Sequence, residues 1–326
     1  MDRKLSHAED LRLFSTRASI VAFAALMALL AAAPFVLPGW RIFALNQIAI
    51  HIVLAVGLNL LVGTTGLISL GHAAFLAVGA YTSVVLVGAG VPFVVALVAA
   101  GAVSGALGFV VGLPALRLEG PYLTIATMGF GIATQQILGY WESLTGGHMG
   151  LHTPPISIAG MPLATDAARY GVIMPVTVLC VIAGYNIQRS RVGRALAAIR
   201  DSDVAAQASG VDLTAYKTRA FAISTFFAGL AGSLYAHNAG FIAPENFDLF
   251  LSIKMLAMVV VGGLGSVLGS VLGPSLLVGV ELAFSGAKSY SAIIVGAVMI
   301  VVVLFEPAGL RGRWLTIKRY WKTWPF

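Results

Sequence analysis

The chain has 326 residues, of which 59% are hydrophobic and only 10% charged, and its mean hydropathy is +0.92. A soluble domain carries about 25% charged residues, so a water-soluble globule is excluded and the solvent is a bilayer, crossed by helices or by a closed barrel. The net charge of +7 reads as membrane topology, because basic residues collect in loops that stay in the cytoplasm; no aromatic-interleaved basic patch points to nucleic acid.

Residues 1–17 are polar and mixed in charge. The first apolar run is Ala18–Leu37. Arg12 and Arg17 precede it and Ala31–Ala33 resembles a small-residue cleavage site, but the run exceeds the roughly 7–15 residues of a signal core, so a retained first helix is expected. From Ile42 to Leu116 there is no Asp, Glu, Lys or Arg, room for three spans of ~20 residues each. Gly63 and Gly66, then Gly88 and Gly90 with Pro92, mark the breaks. Arg117 and Glu119 end this block, and Pro121–Tyr140 is a fifth run. A polar loop, 141–170, holds Pro154, Pro155, Pro162, Asp166 and Arg169. Gly171–Ile187 is a sixth run, and it contains Cys180, the single cysteine. One thiol forms no internal disulfide and no metal-type spacing exists.

A charged island follows, with Arg189, Arg191, Arg194, Arg200, Lys217 and Arg219 beside Asp201, Asp203 and Asp212. Thr218–His237 is a seventh run. Pro244, Glu245 and Asp248 lie in a second polar loop. The apolar stretch Leu251–Phe305 contains Glu281 and Lys288, and is long enough for three short spans. A basic tail carries Arg311, Arg313, Lys318, Arg319 and Lys322. Placing the N-terminus, Arg117, the island and the tail on one side predicts an all-α polytopic protein of about ten transmembrane helices. Both termini are expected in the cytoplasm, with loops 141–170 and 239–250 outside. The domains so read are a cytoplasmic segment 1–17, a transmembrane unit 18–306 and a cytoplasmic tail 307–326. No tandem repeat is visible, but "VGTTGLISLG" (62–71) is echoed by "VGGLGSVLGS" (261–270), as internal duplication would produce; the abundance of Val, Gly, Leu and Ser in membrane helices explains the echo equally well.

The island, about 189–217, predicts a helical hairpin outside the membrane. "ALAAIR" and "VAAQAS" favour helix, Asp201 or Ser202 can cap a helix start, Gly210 can end one in the left-handed conformation, and Asp212 can cap the next. Ala205, Ala206 and Gly210 are small enough for close approach, and Arg200, Asp201, Asp203 and Asp212 ring them with charge; Arg194, Arg200, Asp203, Ala205, Ala206 and Gly210 are the candidate coupling residues. Two readings stand: a knob for a groove on a cytoplasmic partner, or a solvated loop whose alanines promote helix.

"VAAQASG" resembles the EAA---G signature of bacterial ABC importer permeases, with Ala205, Ala206 and Gly210 in place and Val204 where the usual Glu stands. "GLNLLVGTTGLISLGHAAFLAVGAY" (57–81), "GRALAAIRDSDVAAQASGVDLTAYKTRAFAISTFFAGLAGSLYAH" (193–237), "GFIAPENF" (240–247) and "VVVGGLGSVLGSVLG" (259–273) are similar to the LivM-type permeases of the branched-chain amino acid ABC transporter family. The resemblance covers about residues 40–310. It implies a permease subunit of the bacterial inner membrane, working by alternating access with a homologous permease, two ABC ATPase subunits and an extracytoplasmic solute-binding protein. Permeases for urea, short amides and aromatic acids look similar, so the solute stays open among these. A stand-alone secondary transporter and a passive channel lined by His51 and His72 are rival classes. No phosphate loop of the GxxxxGK[ST] type is present, so ATP and Mg are expected on the partner subunits, no cofactor on this chain, and no catalytic or metal site here.

Intramembrane polar residues mark pathways by default. Asn59, Thr64, Thr65, Ser69 and His72 cluster around Gly63, Gly66 and Gly71, where a broken helix could hold a carboxylate on free amides; hydrogen bonds that glue helices together are the alternative. Asn46, Gln47 and His51 precede them. Gln135 and Gln136 are expected at a hydrated end. Glu281 faces a loop or pairs with Lys288. Tyr235, His237 and Glu245 are expected at the outer surface, in contact with the binding protein or, for Tyr235, in an aromatic belt.

Overall fold

The computed structural model describes residues 17–115, 121–158, 161–284, 291–306, 309–313 and 316. Arg117, Glu119, Lys288 and the tail residues beyond 316 lie outside them, as do residues 1–16. Among the described residues ten helices span 14 to 27 residues. They are α1 (Arg17–Val36), α2 (Gly39–Thr65), α3 (His72–Gly88), α4 (Phe93–Ala115), α5 (Pro121–Tyr140), α7 (Asp166–Arg189), α10 (Leu213–Ala239), α11 (Leu249–Gly262), α12 (Val267–Ala283) and α13 (Ser291–Phe305); three shorter ones, α6 (Glu142–Thr145), α8 (Arg191–Asp201) and α9 (Asp203–Ala208), lie in the connections. Each long helix falls on an apolar run, because in hydrocarbon only a helix satisfies its own backbone.

Four of these, α2, α4, α7 and α10, are long and apolar enough to cross a membrane singly; α11 and α12, bent by 120° at a short break, pass that test together. The ten helices match the expected count of runs, but α3, α11 and α12 are cut short by glycine-marked breaks, so their length alone does not make them separate spans. The three short spans expected over 251–305 fall on α11, α12 and α13, of which α11 and α12 are the bent pair.

Two helices form the core. Nearly all of α2 is buried, and most of α10; α2 packs on α7, α10 and α12, and α10 on α3 and α4. Small residues let the backbones approach: Ala228 and Ala231 on α10 are fully buried, as fits helix packing without a hydrophobic drive from water. Aromatic side chains fill the junction of α3, α5 and α10, where Phe75 stacks on Phe130 with centroids 5.0 Å apart and meets Phe221 edge-on at 5.7 Å.

The connections gather at two ends. At one end lie the C-termini of α2 and α7, the hairpin α8–α9, the break between α11 and α12, and residues 309–313. At the other, the loop after α5 meets the loop after α10. Leu151–His152 (β1) pairs antiparallel with Phe241–Ile242 (β4), register Leu151↔Ile242. Gln135 Nε2 donates to the Pro244 carbonyl at 3.3 Å, and His148 Nδ1 lies 2.8 Å from Glu245 Oε1. Two further two-residue strands, Ser157–Ile158 (β2) and Met161–Pro162 (β3), form a small hairpin in the same loop. The long loop is therefore a folded cap.

Candidate coupling site at one end of the bundle

The hairpin is built from three side-chain caps. Ser190 Oγ accepts from the Gly193 amide at 3.3 Å and starts α8. Ser202 Oγ accepts from Ala205 N at 3.2 Å and starts α9; of the two residues expected there, the serine is the cap. Asp212 Oδ1 accepts from Ala215 N at 3.0 Å and starts α10. Gly210, at φ +84°, turns the chain between them. Leu196, Ile199 and Ala206 point inward and are buried. The outward face consists of Val204 (79% exposed), Ala205, Gln207, Ala208 and Gly210.

This arrangement sorts the six predicted coupling residues. Ala205 and Gly210 are open to a partner, whereas Ala206 is a packing residue of the hairpin itself. Arg194 is exposed and donates to the Arg189 carbonyl at 3.0 Å. Asp203 is engaged within the chain by Lys217, Nζ–Oδ2 2.6 Å. Arg200 turns toward the bundle, where its Nη1 donates to the Gly63 carbonyl at the end of α2.

Arg200 thereby reaches the break between α11 and α12. Gly265 N donates to Asn59 Oδ1 at 2.8 Å, and Asn59 Nδ2 donates to the Ser266 carbonyl at 2.7 Å and to Ser270 Oγ at 2.8 Å. Gln188 Nε2, one turn before the hairpin, donates to the Gly265 carbonyl at 2.6 Å, and Arg311 Nη1 lies 3.5 Å from the same oxygen. Gly63 has no side chain because one would collide with Gly265 and Asn59. Hairpin, α2, α7 and the residues after α13 thus converge on one short break. The two echoing stretches, 62–71 and 261–270, are the two helix breaks, α2 to α3 and α11 to α12, and they meet at Gly63 and Gly265.

The predicted pathway residues are all buried. Asn59 is the clamp just described. Thr64 and Thr65 bond to carbonyls of their own helix, Asn59 and Leu61 among them. Ser69 Oγ and Ser224 Oγ lie 3.0 and 2.8 Å from the two ring nitrogens of His72, and Phe75 and Phe221 flank that ring edge-on. The segment between Gly66 and Gly71 is held by α5, where Thr127 Oγ1 accepts from Leu70 N at 3.1 Å. His51 is likewise satisfied within α2, by the Gln47 carbonyl at 2.8 Å. These are helix-fixing bonds, and they leave each side chain satisfied.

At the opposite end, Tyr235 is partly buried and meets Phe247 edge-on at 5.9 Å. His237 corrects the surface expectation: it is 4% exposed, packed against Phe93 at 5.1 Å and bonded to Ser83 Oγ at 3.1 Å. It faces inward because the cap formed by 141–170 covers this end of α10. Glu245 is exposed and pairs with His148; the imidazole hydrogen bond, then its own backbone amide, hold its carboxyl below the ordinary range. Glu281 pairs with Lys254, Nζ to Oε2, a partner the sequence reading passed over. The two are far apart along the chain and adjacent only because α12 folds back on α11; Lys288 lies outside the described residues.

Fold and site define an all-helical membrane protein with a structured hairpin tied to a broken helix. Comparison with known families gives it a place: residues 41–303 match the branched-chain amino acid transport system permease component family, to which this chain belongs. The chain is 33% identical over 311 residues to the high-affinity branched-chain amino acid transport system permease protein LivM of Salmonella typhimurium, covering 88% of this chain and 73% of that protein. It is 27% identical to LivH of the same organism, over 81% of this chain and 91% of the relative. It is 26% identical to the fructose import permease protein FruG of Bifidobacterium longum, over 79% of each. No solved structure matches.

Proposed function

We propose that this chain is the membrane-spanning permease subunit of an ATP-driven importer of branched-chain amino acids. It works with a homologous permease, two ATPase subunits and an extracytoplasmic binding protein in a bacterial inner membrane. The ATPases hydrolyse ATP with Mg, and this chain carries no catalytic group. Residues 1–17, the hairpin and the tail 307–326 face the cytoplasm, the unit 18–306 crosses the bilayer in about ten helices, and the loops 141–170 and 239–250 face outward, in reach of the binding protein through Glu245 and its neighbours.

The observation that carries this reading is the Arg200 link. A hairpin with an open small-residue face, Val204–Gly210, is joined by Arg200 and Gln188 to the break of a discontinuous helix pair. Irregular backbone of this kind is tolerated in a membrane protein where other segments cover and satisfy it. ATP-driven closure of the ATPase pair pushes the hairpin; Arg200 transmits the displacement to Gly63 and Gly265; α3 and α12, which begin at the two breaks, tilt and change which end of the bundle is open. Thr64, Thr65, Ser69 and His72 stand on the first break and move with it, with Asn59 as the clamp between the two.

The branched-chain solute class is supported by the function named for the LivM and LivH relatives, while the relative FruG is a fructose permease. The test is leucine uptake in proteoliposomes holding the assembled complex, ATP inside and binding protein outside. Uptake that needs both, and that Arg200→Ala abolishes while the ATPases still copurify, is the expected result. Uptake without ATP hydrolysis overturns the importer reading in favour of a secondary transporter or channel, and transport of urea, short amides or aromatic acids in place of leucine overturns the solute class.

A further inference from the structure

Four of the eight buried side-chain polar atoms without a partner among the described residues lie together under the folded cap: Arg169 Nε, His237 Nδ1, and Asn238 Nδ2 and Oδ1. His237 and Asn238 are almost wholly buried. Arg169 reaches them from the first turn of α7, its Nη1 3.5 Å from the Asn238 carbonyl and 3.4 Å from Asp166 Oδ1. Asp166 takes only that one nitrogen, so Nε is unused. Buried donors and acceptors are ordinarily paired, and a cluster of orphans calls for an explanation.

Two adjoining voids supply one. The smaller, about 10 Å³, is lined by Arg169, His237 and Asn238, and has room for a single water-sized group. The larger, about 310 Å³, shares Arg169 and His237 with it and is walled by Pro154, Pro155, Ile156 and Leu163. Its size falls at the lower end of the range of small-molecule sites, about 300–1,000 Å³. A guanidinium and an imidazole at one side and an aliphatic wall on the other form a mixed surface. Water would satisfy the polar side and leave the proline-lined side unfilled.

We infer that this cavity is a binding site for a small aliphatic carboxylate, with the carboxylate on Arg169 and the hydrocarbon against Pro154, Ile156 and Leu163. A zwitterion fits if its ammonium enters the adjoining smaller void, where Asn238 Oδ1 is an unpartnered acceptor. The site lies beneath the cap, at the end of the bundle away from the hairpin, and is distinct from the break at Gly265. It rests on the proposed solute class, for which it would be a first station within the permease.

The test uses the full chain in lipid nanodiscs with radiolabelled L-leucine as probe. Isocaproate, which keeps the carboxylate, and isoamylamine, which keeps only the amine, are the competitors. Expected are saturable leucine binding, displacement by isocaproate and not by isoamylamine, and a loss of about tenfold or more in affinity in Arg169→Gln. Leu163→Trp fills the cavity without removing a polar group and should weaken binding as much, while Arg169→Lys keeps part of it. The inference is overturned by absence of saturable binding to the wild type, by unchanged affinity in Arg169→Gln and Leu163→Trp, or by isoamylamine competing as well as isocaproate. Uptake by the assembled importer separates the two levels. Normal leucine uptake in both variants refutes the cavity alone; a wild-type importer that carries no leucine refutes the solute class.

Discussion

Asn59 is the residue on which the most structure depends. It donates twice and accepts once across a sequence distance of more than two hundred residues, and it does so in a buried place where an abandoned partner has no water to turn to. Each buried group left unsatisfied costs about 1–3 kcal/mol. Asn59→Ala should therefore lower the thermal unfolding midpoint in detergent markedly, and Asn59→Asp, which keeps the acceptor to Gly265 N but turns a buried carboxylate on the Ser266 carbonyl, should lower it at least as much; equal midpoints for wild type and Asn59→Ala would contradict the clamp. Arg200 makes a charge-assisted bond of the kind worth about 1.5–3 kcal/mol. If it transmits motion, Arg200→Ala cuts ATP-dependent uptake by about tenfold or more with the ATPases still bound. Lys254 and Glu281 are a third case. Lys254→Met leaves a carboxylate unpaired in an apolar helix hairpin, and breaking such a pair costs more than deleting it; the double variant Lys254→Met/Glu281→Gln should recover most of the stability that the single one loses, by thermal shift in the same detergent.

At the scale of elements, the helix breaks and the hairpin behave as one unit. The hairpin's start and turn points are local, set by three caps and a left-handed glycine, while Leu196 and Ile199 pack it onto the bundle core. Gly210→Ala places a side chain at φ +84°, a conformation that costs an L-residue roughly 1–2 kcal/mol. Space beside it is open, so the change should lower protection of α9 in hydrogen exchange and weaken ATPase copurification without unfolding the spans; a larger residue, Gly210→Trp, should abolish copurification while insertion is kept. The break at 263–266 is the reverse case. Its shape is set by α2, α7 and α8 together, and Gly63→Ala, which gives α2 a side chain facing Gly265, should separate them and uncouple uptake from ATP turnover.

At the scale of the whole molecule, the bundle has one end that is tied by the hairpin and another closed by a cap that includes a charge pair. Glu245 is held ionised below the ordinary carboxylate range by His148. A carboxyl whose folded-state pKa is depressed contributes stability above its unfolded value, about 4.3, and loses it as pH falls through the folded value. Because both side chains are well exposed, the contribution is small. Hydrogen exchange at residues 147–152, relative to the intrinsic rate, should accelerate once pH falls below the unfolded carboxyl value of about 4.3; Glu245→Gln should remove that acid-dependent increment.

The sequence by itself determined the solvent, the helices and the hairpin, because each is written locally. Apolar runs force helices in lipid, Ser202, Gly210 and Asp212 punctuate the chain where they stand, and the motifs at 57–81 and 193–273 carry the family. It also displayed both breaks as an echo of one another, without saying that they touch. Tertiary structure alone decided who meets whom. That Arg200 faces the bundle, that Ala206 packs inward, that Lys254 and not Lys288 neutralises Glu281, and that His237 is sealed beneath a cap with Arg169 and Asn238 all follow from how α2, α7, α10 and the α11–α12 hairpin pack. No hydrophobic periodicity encodes these, since in a bilayer both the face that meets lipid and the face that meets protein are apolar.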